Sequence, residues 1–356
     1  MKTFILGMFA LSAVWMISCQ KTLDSEHLYR MNSVSSSKKL DWTRTNHASG
    51  LASPIGLAMA ANGYLWVTEA GTGNNDGRVS VVDNAGNRFT VITGFATEIR
   101  PGEGPVGLNH LALRGQMLYI INGINGRLYM ADISGWKPGD APMTAANLPS
   151  QNISGFVLAA GKHESNIYNL TFGEDGDLFI CDAAGNCIVR RSSADGSLSI
   201  FAEFPPLANG ADFVPTAIVR DGSSFYVSGL GGFPFTPGLS NIYRVNAQGQ
   251  ASLHATGFTT LTDLEMTQDR KLLALQFANF TPPPGPNVGF QSMTGRISDI
   301  NGNTLLGGLM FPTSLVRGAG GNSYYVMSRA LGTIDKIEKK IIRSPLPIAG
   351  RPFLIF

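Results

Sequence analysis

Six times along the chain, an apolar run is followed by a turn, a second apolar or aromatic run, a loop and a third run. This repeat limits the possible folds more than any other feature. The first copy reads Pro54-Ile55-Gly56-Leu57, then Tyr64 to Glu69, then Arg78 to Val82. The later copies open at Gly107, Ile167, Val214, Leu261 and Phe311. The second runs end at Glu69, Asn122, Asp182, Gly229, Gln276 and Ser328, so the intervals are 53, 60, 47, 47 and 52 residues by subtraction. A period of about 50 residues built from short strands marks propeller blades, each a four-stranded sheet. One blade cannot bury both of its faces; a ring of blades buries each against the next and leaves only short edges. The expected fold class is all-β, a six-bladed β-propeller.

Fourth strands fit Phe89–Ile92, Leu198–Phe201 and Ser252–Ala255, but none is evident after Ile337 in the sixth copy. Trp42-Thr43-Arg44-Thr45 leads into Ser49-Gly50-Leu51, as Ile92-Thr93 leads into Gly94-Phe95 and Ala255-Thr256 into Gly257-Phe258. The ring is therefore expected to be closed by an N-terminal strand completing the last blade. A row of β-sandwiches is the competing fold, and six even repeats argue against it.

Composition agrees. Charged residues are 15% of the chain, against about 25% in typical soluble proteins, and there are 42 glycines. Such a chain suits many short strands and tight turns. The formal net charge is +2 with no basic run in the body, which excludes a nucleic-acid footprint of clustered Lys and Arg.

Lys2 is followed by an uncharged, mostly apolar stretch from Thr3 to Ser18. It is shorter than the roughly 20 residues of a membrane span and ends on a small residue, as a secretory signal does. Met16-Ile17-Ser18-Cys19 resembles a bacterial lipobox, with Met where Leu is usual. Residues 1–18 are thus expected to be a lipoprotein signal peptide and Cys19 the lipidated residue; a plain secretory signal is the alternative. Residues 19–41, polar and without periodicity, read as a flexible tether, 42–340 as the propeller, and 341–356 as a tail with no assigned element. The expected location is the bacterial cell envelope, periplasmic or at the surface, with membrane contact through the N-terminal lipid only. Cys181 and Cys187 flank a hairpin. In an oxidising compartment they are candidates for a disulfide; a metal pair is the weaker alternative, since structural zinc needs more ligands.

Several segments resemble the ScyD/ScyE family. They are Ser49 to Leu57, Val214-Pro215-Thr216, Gly231-Gly232-Phe233-Pro234-Phe235-Thr236-Pro237-Gly238, Ile242-Tyr243-Arg244-Val245 and Ala255 to Thr259. The Gly-Phe-Pro-Phe-x-Pro-Gly element is the most specific; the rest is shared with NHL and senescence-marker/gluconolactonase propellers. The resemblance covers about residues 47 to 338 and implies an extracytoplasmic six-bladed propeller. Named members belong to late steps of cyanobacterial synthesis of scytonemin, an indolic-phenolic sunscreen. The lipoprotein start departs from those members.

The ends of the second strands reach one face of a propeller near its channel. Here Glu69, Asn122 and Asp182 occupy such ends, and buried charge is costly unless paired or metal-bound. The set resembles the oxygen-rich metal site of gluconolactonase-like propellers, and oxygen ligands suit Ca²⁺ or Mg²⁺. The match is partial, because Tyr168 stands where such propellers carry Asn. The alternative is that these groups bond each other and channel waters. Asn109, His110, Tyr168 and Asp263 at the starts of innermost strands, Gln276, and Phe233 and Phe235 on a proline-stiffened loop are candidate ligand-binding residues. That loop and the segment Phe277 to Met293 can wall an apolar pocket or plug the channel mouth. No Gly-x-Ser-x-Gly elbow or paired histidine motif is present. Three readings follow: a binder of a small, partly aromatic ligand, a metal-dependent lactonase-like hydrolase, or a platform for another envelope protein.

Overall fold

The computed structural model describes residues 39–284 and 288–342. The expected signal peptide, Cys19, most of the expected tether and all but the start of the tail lie outside them. Among the described residues, no helix is long and apolar enough to cross a membrane.

Six antiparallel blades form the ring. Their innermost strands are Pro54–Met59, Leu108–Arg114, Ile167–Phe172, Pro215–Asp221, Leu261–Met266 and Pro312–Arg317. Each contacts the innermost strand of the next blade, and the sixth contacts the first. The last blade runs Pro312–Arg317, Ser323–Ser328, Thr333–Ile342 and then Lys39–Ala48, so the N-terminal strand closes the ring. Trp42 secures it, with its ring 5.5 Å from that of Tyr324.

The alternation of each second strand explains why blades cannot stand alone. In Leu178–Asp182, Phe179 and Cys181 face a core shared with the fourth blade, while Leu178 and Ile180 face one shared with the second. All six junctions carry such a core. A fully buried Val or Leu contributes about 1.5–3 kcal/mol, so ring closure, not any single sheet, supplies most of the stability.

The second and fifth blades have outer strands that the sequence pattern did not disclose, Ser150–Asn152 and Thr304–Leu309. Ser-Gln-Asn is too short and polar to read as a strand. The 60-residue interval from Asn122 to Asp182 also contains Met143–Thr144, which pairs in parallel with Arg88–Phe95 and extends the first blade to five strands.

The structure corrects the disulfide expectation. Cys187 pairs across the hairpin with Asp182, whereas Cys181 pairs with Ile188. Directly opposed residues share a sheet face and neighbours alternate, so the two thiols lie on opposite faces. Both are free and buried. Burial pushes the Cys187 thiol up to about 12 and that of Cys181 well above its ordinary value.

Candidate functional site

Every innermost strand breaks register at its second residue: after Pro54, Leu108, Ile167, Pro215, Leu261 and Pro312 the pairing slips. A bulge leaves a residue unpaired and re-aims it. In four blades the preceding residue is also left-handed, Ser53, Val214, Thr260 and Phe311, with φ of 48°, 57°, 44° and 45°. For L residues this region costs about 1–2 kcal/mol each, so its recurrence marks a shared way of turning the chain into the channel.

The bulge gives the channel two consecutive rings of side chains. The second residues, Ile55, Asn109, Tyr168, Thr216, Thr262 and Thr313, line an upper cavity of about 690 Å³. The third residues, Gly56, His110, Asn169, Ala217, Asp263 and Ser314, form a girdle beneath it. His110, Asn169 and Asp263 also border a lower cavity of about 300 Å³. Gly56 is required by close approach: a Cβ there would lie 2.6 Å from the His110 Cα.

Four of the six girdle residues are polar, and Asp263 links Ser314 and Asn169, while His110 Nε2 is buried without a hydrogen-bond partner. Asp263 Oδ2 accepts from Ser314 Oγ at 2.9 Å and Leu315 N at 2.8 Å, and its Oδ1 accepts from Leu264 N at 2.9 Å and Asn169 Nδ2 at 3.4 Å. His110 Nδ1 meets the Tyr168 carbonyl at 3.0 Å, and its Nε2 stands 4.0 Å from Asp263 Oδ2. Burial raises the Asp263 carboxyl to about 7 and lowers His110 to about 4. At neutral pH the His110 imidazole is therefore uncharged, and the contact is not a strong ion pair. Several residues of the upper ring staple neighbouring blades: Asn109 donates to the Ile167 carbonyl at 2.7 Å, Thr216 to that of Leu261 at 2.7 Å and Thr262 to that of Pro312 at 3.1 Å.

The upper cavity is walled by loops of the face where innermost strands begin. Phe233 and Phe235 come from the fourth blade, Phe277 and Phe290 from the fifth, Arg329 from the sixth, and the hairpin Glu98–Val106 closes the remaining side. Phe235 packs against Phe280 and Phe290 at 5.0 and 5.2 Å, and Phe277 against Phe290 and Phe311 at 5.1 Å. The Phe277–Phe311 pair is stacked and the others are tilted or edge-on, the arrangements aromatic pairs prefer.

Of the seven expected ligand-binding residues, Asn109, Tyr168, Phe233 and Phe235 line this cavity. His110 and Asp263 lie in the girdle and face the lower cavity. Gln276 lines neither; its Nε2 donates to Asn279 Oδ1 at 2.9 Å.

Glu69, Asn122 and Asp182 are not brought together, which corrects the expectation of a shared Ca²⁺ or Mg²⁺ site. Glu69 Oε1 accepts from Arg78 Nε at 3.0 Å and Ser80 Oγ at 2.5 Å; Oε2 accepts from Arg78 Nη2 at 2.7 Å and Ala52 N at 2.6 Å. Asp182 accepts from Asn166 N and Gly185 N, both at 2.8 Å, and from Ser165 Oγ. Asn122 Nδ2 donates to the Ala96 carbonyl at 2.8 Å, and its Oδ1 accepts from Ile124 N at 3.1 Å. Each ties down its own blade's loops, with its acceptors already engaged. Among the described residues, no group of three or more His, Cys, Asp or Glu is placed to hold a metal ion. These oxygens, each bonded to a separate set of partners, do not form a site for a hard cation.

The residue missed in the sequence is Arg329. The position one beyond each second strand donates its N–H to the residue before the innermost strand: Ala70 to Ser53, Gly123 to Gly107, Ala183 to Asn166, Leu230 to Val214, Phe277 to Thr260 and Arg329 to Phe311. This ring, not the strand ends, borders the cavity at five of its six points. Alternation supplies the reason, since consecutive strand residues face opposite ways.

No family model and no curated protein matches the chain. Solved structures do. A streptogramin B lyase is 13% identical with a TM-score of 0.55, over 84% of this chain and 98% of its own. A putative gluconolactonase is 15% identical with a TM-score of 0.51, over 85% and 93%. The PQQ-bound aldose sugar dehydrogenase from Streptomyces coelicolor is 15% identical with a TM-score of 0.52, over 85% and 100%. At such identities the likeness is one of fold, and on its blades and its closure the chain is a six-bladed β-propeller similar to these proteins.

Proposed function

We propose that this chain binds a small, partly aromatic molecule in the upper cavity, and does so in the bacterial envelope, held by a lipid on Cys19. The carrying observation is the cavity of about 690 Å³ with an aromatic wall of Phe233, Phe235, Phe277 and Phe290. Its size suits a small ligand, and preformed walls cost little ordering on binding. The Gly231–Gly238 element, which carries the resemblance to the ScyD/ScyE family, supplies two of those rings. The Ser18-Cys19 junction supports the anchor, and a lipid mass on the N-terminal peptide of membrane-extracted protein tests it.

The test of binding is fluorescence titration with 1-naphthaleneacetamide, a neutral bicyclic probe. Saturable binding is expected, weakened about tenfold by Phe235→Ala, the loss of an aromatic contact worth about 1.4 kcal/mol. No saturation with wild-type protein refutes the reading. The hydrolase reading required Glu69, Asn122 and Asp182 to converge, and their oxygens are engaged elsewhere. One observation favours a second reading, a protein partner on the same face. Among the described residues, the exposed large apolar side chains Ile99, Leu158, Phe233, Val288, Met293 and Leu331 all lie in segments of that face, and Leu253 alone does not. Failure of the probe to bind passes the face to that reading.

A further inference from the structure

The upper cavity is not uniformly apolar. Of the six positions that follow the second strands, five hold glycine or an apolar residue, and the sixth holds Arg329. Its Nη2 donates to the carbonyls of Glu103 at 2.9 Å and Pro105 at 2.5 Å, across the mouth on the hairpin of the first blade. Those two bonds fix the guanidinium. Among the described residues, its Nε and Nη1 have no protein acceptor, and Arg329 forms no salt bridge. The wall's other cation, Arg100, is paired with Glu98 at 2.8 Å. Its one carboxylate, Glu103, is exposed at the hairpin turn.

Two further donors lie in the same lining. The Tyr168 hydroxyl has no protein partner among the described residues. It lines the same cavity as Arg329, and burial raises its pKa, so it is a neutral donor at physiological pH. Thr313, 3% exposed, has a buried Oγ1 with no hydrogen-bond partner.

We propose that the upper cavity selects aromatic molecules bearing one carboxylate, with Arg329 as the counter-charge and Tyr168 as a second donor. This inference rests on the binding reading above and names the ligand's charge. The free Nε–H and Nη1–H of a charged guanidinium can each give a charge-assisted hydrogen bond to a carboxylate oxygen. Aromatic walls exclude water and strengthen that contact. A neutral amide of the same shape would offer Arg329 only an uncharged acceptor, and such a bond is about half as strong as a charge-assisted one. The cavity therefore discriminates by charge as well as by shape.

The experiment compares 1-naphthaleneacetate with 1-naphthaleneacetamide by fluorescence titration on the same full-length protein. The acetate is expected to bind about tenfold tighter, the effect of one charge-assisted hydrogen bond. Raising ionic strength should narrow the difference by weakening the acetate alone. Arg329→Met should abolish the preference, and Arg329→Lys should retain part of it. The salt series uses wild-type protein, so the inference stays testable even if the hairpin loosens in the variants. Equal affinity for the two probes, a preference insensitive to salt, or a preference that survives in Arg329→Met overturns the inference while leaving the binding reading standing. Binding of neither probe overturns both.

Discussion

Replacing Glu69 by Gln separates a structural carboxylate from a metal ligand. Glu69 is fully buried and accepts four hydrogen bonds, two of them from Arg78 in a forked pair. The pairing also raises the pKa of Arg78. Gln keeps the shape but turns one oxygen into a donor. If the NH2 takes the Oε1 place, Arg78 Nε and Ser80 Oγ face a donor; if it takes the Oε2 place, Arg78 Nη2 and the Ala52 N–H do. Either way two donors lose their acceptor and Arg78 loses its counter-charge. Each buried donor left unpaired costs about 1–3 kcal/mol, and breaking a buried pair about 3–5 kcal/mol. Rotation of Ser80 and the partial exposure of Arg78, 26% of its side chain, lower the sum. A loss of about 3 kcal/mol is expected, equivalent to a fall in Tm of about 6 °C for a domain of this size. The assay is scanning calorimetry of wild-type and E69Q proteins with millimolar Ca²⁺, with Mg²⁺ and with EDTA. The fall should be the same in all three. A Tm unchanged within about 1 °C, or a Ca²⁺-dependent gain in wild type that E69Q loses, would refute the reasoning.

Two further predictions follow from the girdle and the thiols. The folded pKa of Asp263, about 7, lies above its unfolded value, so its contribution to stability is present at low pH and lost as pH rises from about 4 to 7. The folded pKa of His110, about 4, lies below its unfolded value, so its contribution is present above about pH 6.5 and lost as pH falls to about 4. Between those limits the two slopes oppose each other in wild type. Asp263→Asn should expose a loss of stability toward acid, and His110→Gln a loss toward neutral pH, in urea unfolding from pH 4 to 7; slopes of the same sign in both variants would reject the assignment. Alkylation of denatured, unreduced protein should label both Cys181 and Cys187, whereas native protein should react slowly because both are buried; a linked Cys181–Cys187 peptide in mass spectrometry would show the facing assignment to be wrong.

The sequence alone determined the blades. Apolar runs such as Leu65–Val67 and Leu272–Leu275 recur at a spacing that only a ring can bury on both faces, and Trp42–Thr45 repeats the exit of other outer strands, so closure was legible before any contact was known. The aromatic loop with Phe233 and Phe235 was legible too, because its prolines and rings are local. What lines the channel was decided by the tertiary structure. A bulge after the first residue of each innermost strand makes two consecutive residues face inward, a departure from alternation that no local pattern announces. It splits Tyr168 from Asp263 into different cavities, and one step of alternation takes Glu69 and Ser328 out of the mouth and puts Arg329 into its wall. Glu69 looked like a ligand because a buried carboxylate needs a cation. The nearer cation is Arg78, nine residues on and directly opposite in the next strand, with Arg88 behind it at 3.8 Å, and only the register of the strands identifies them.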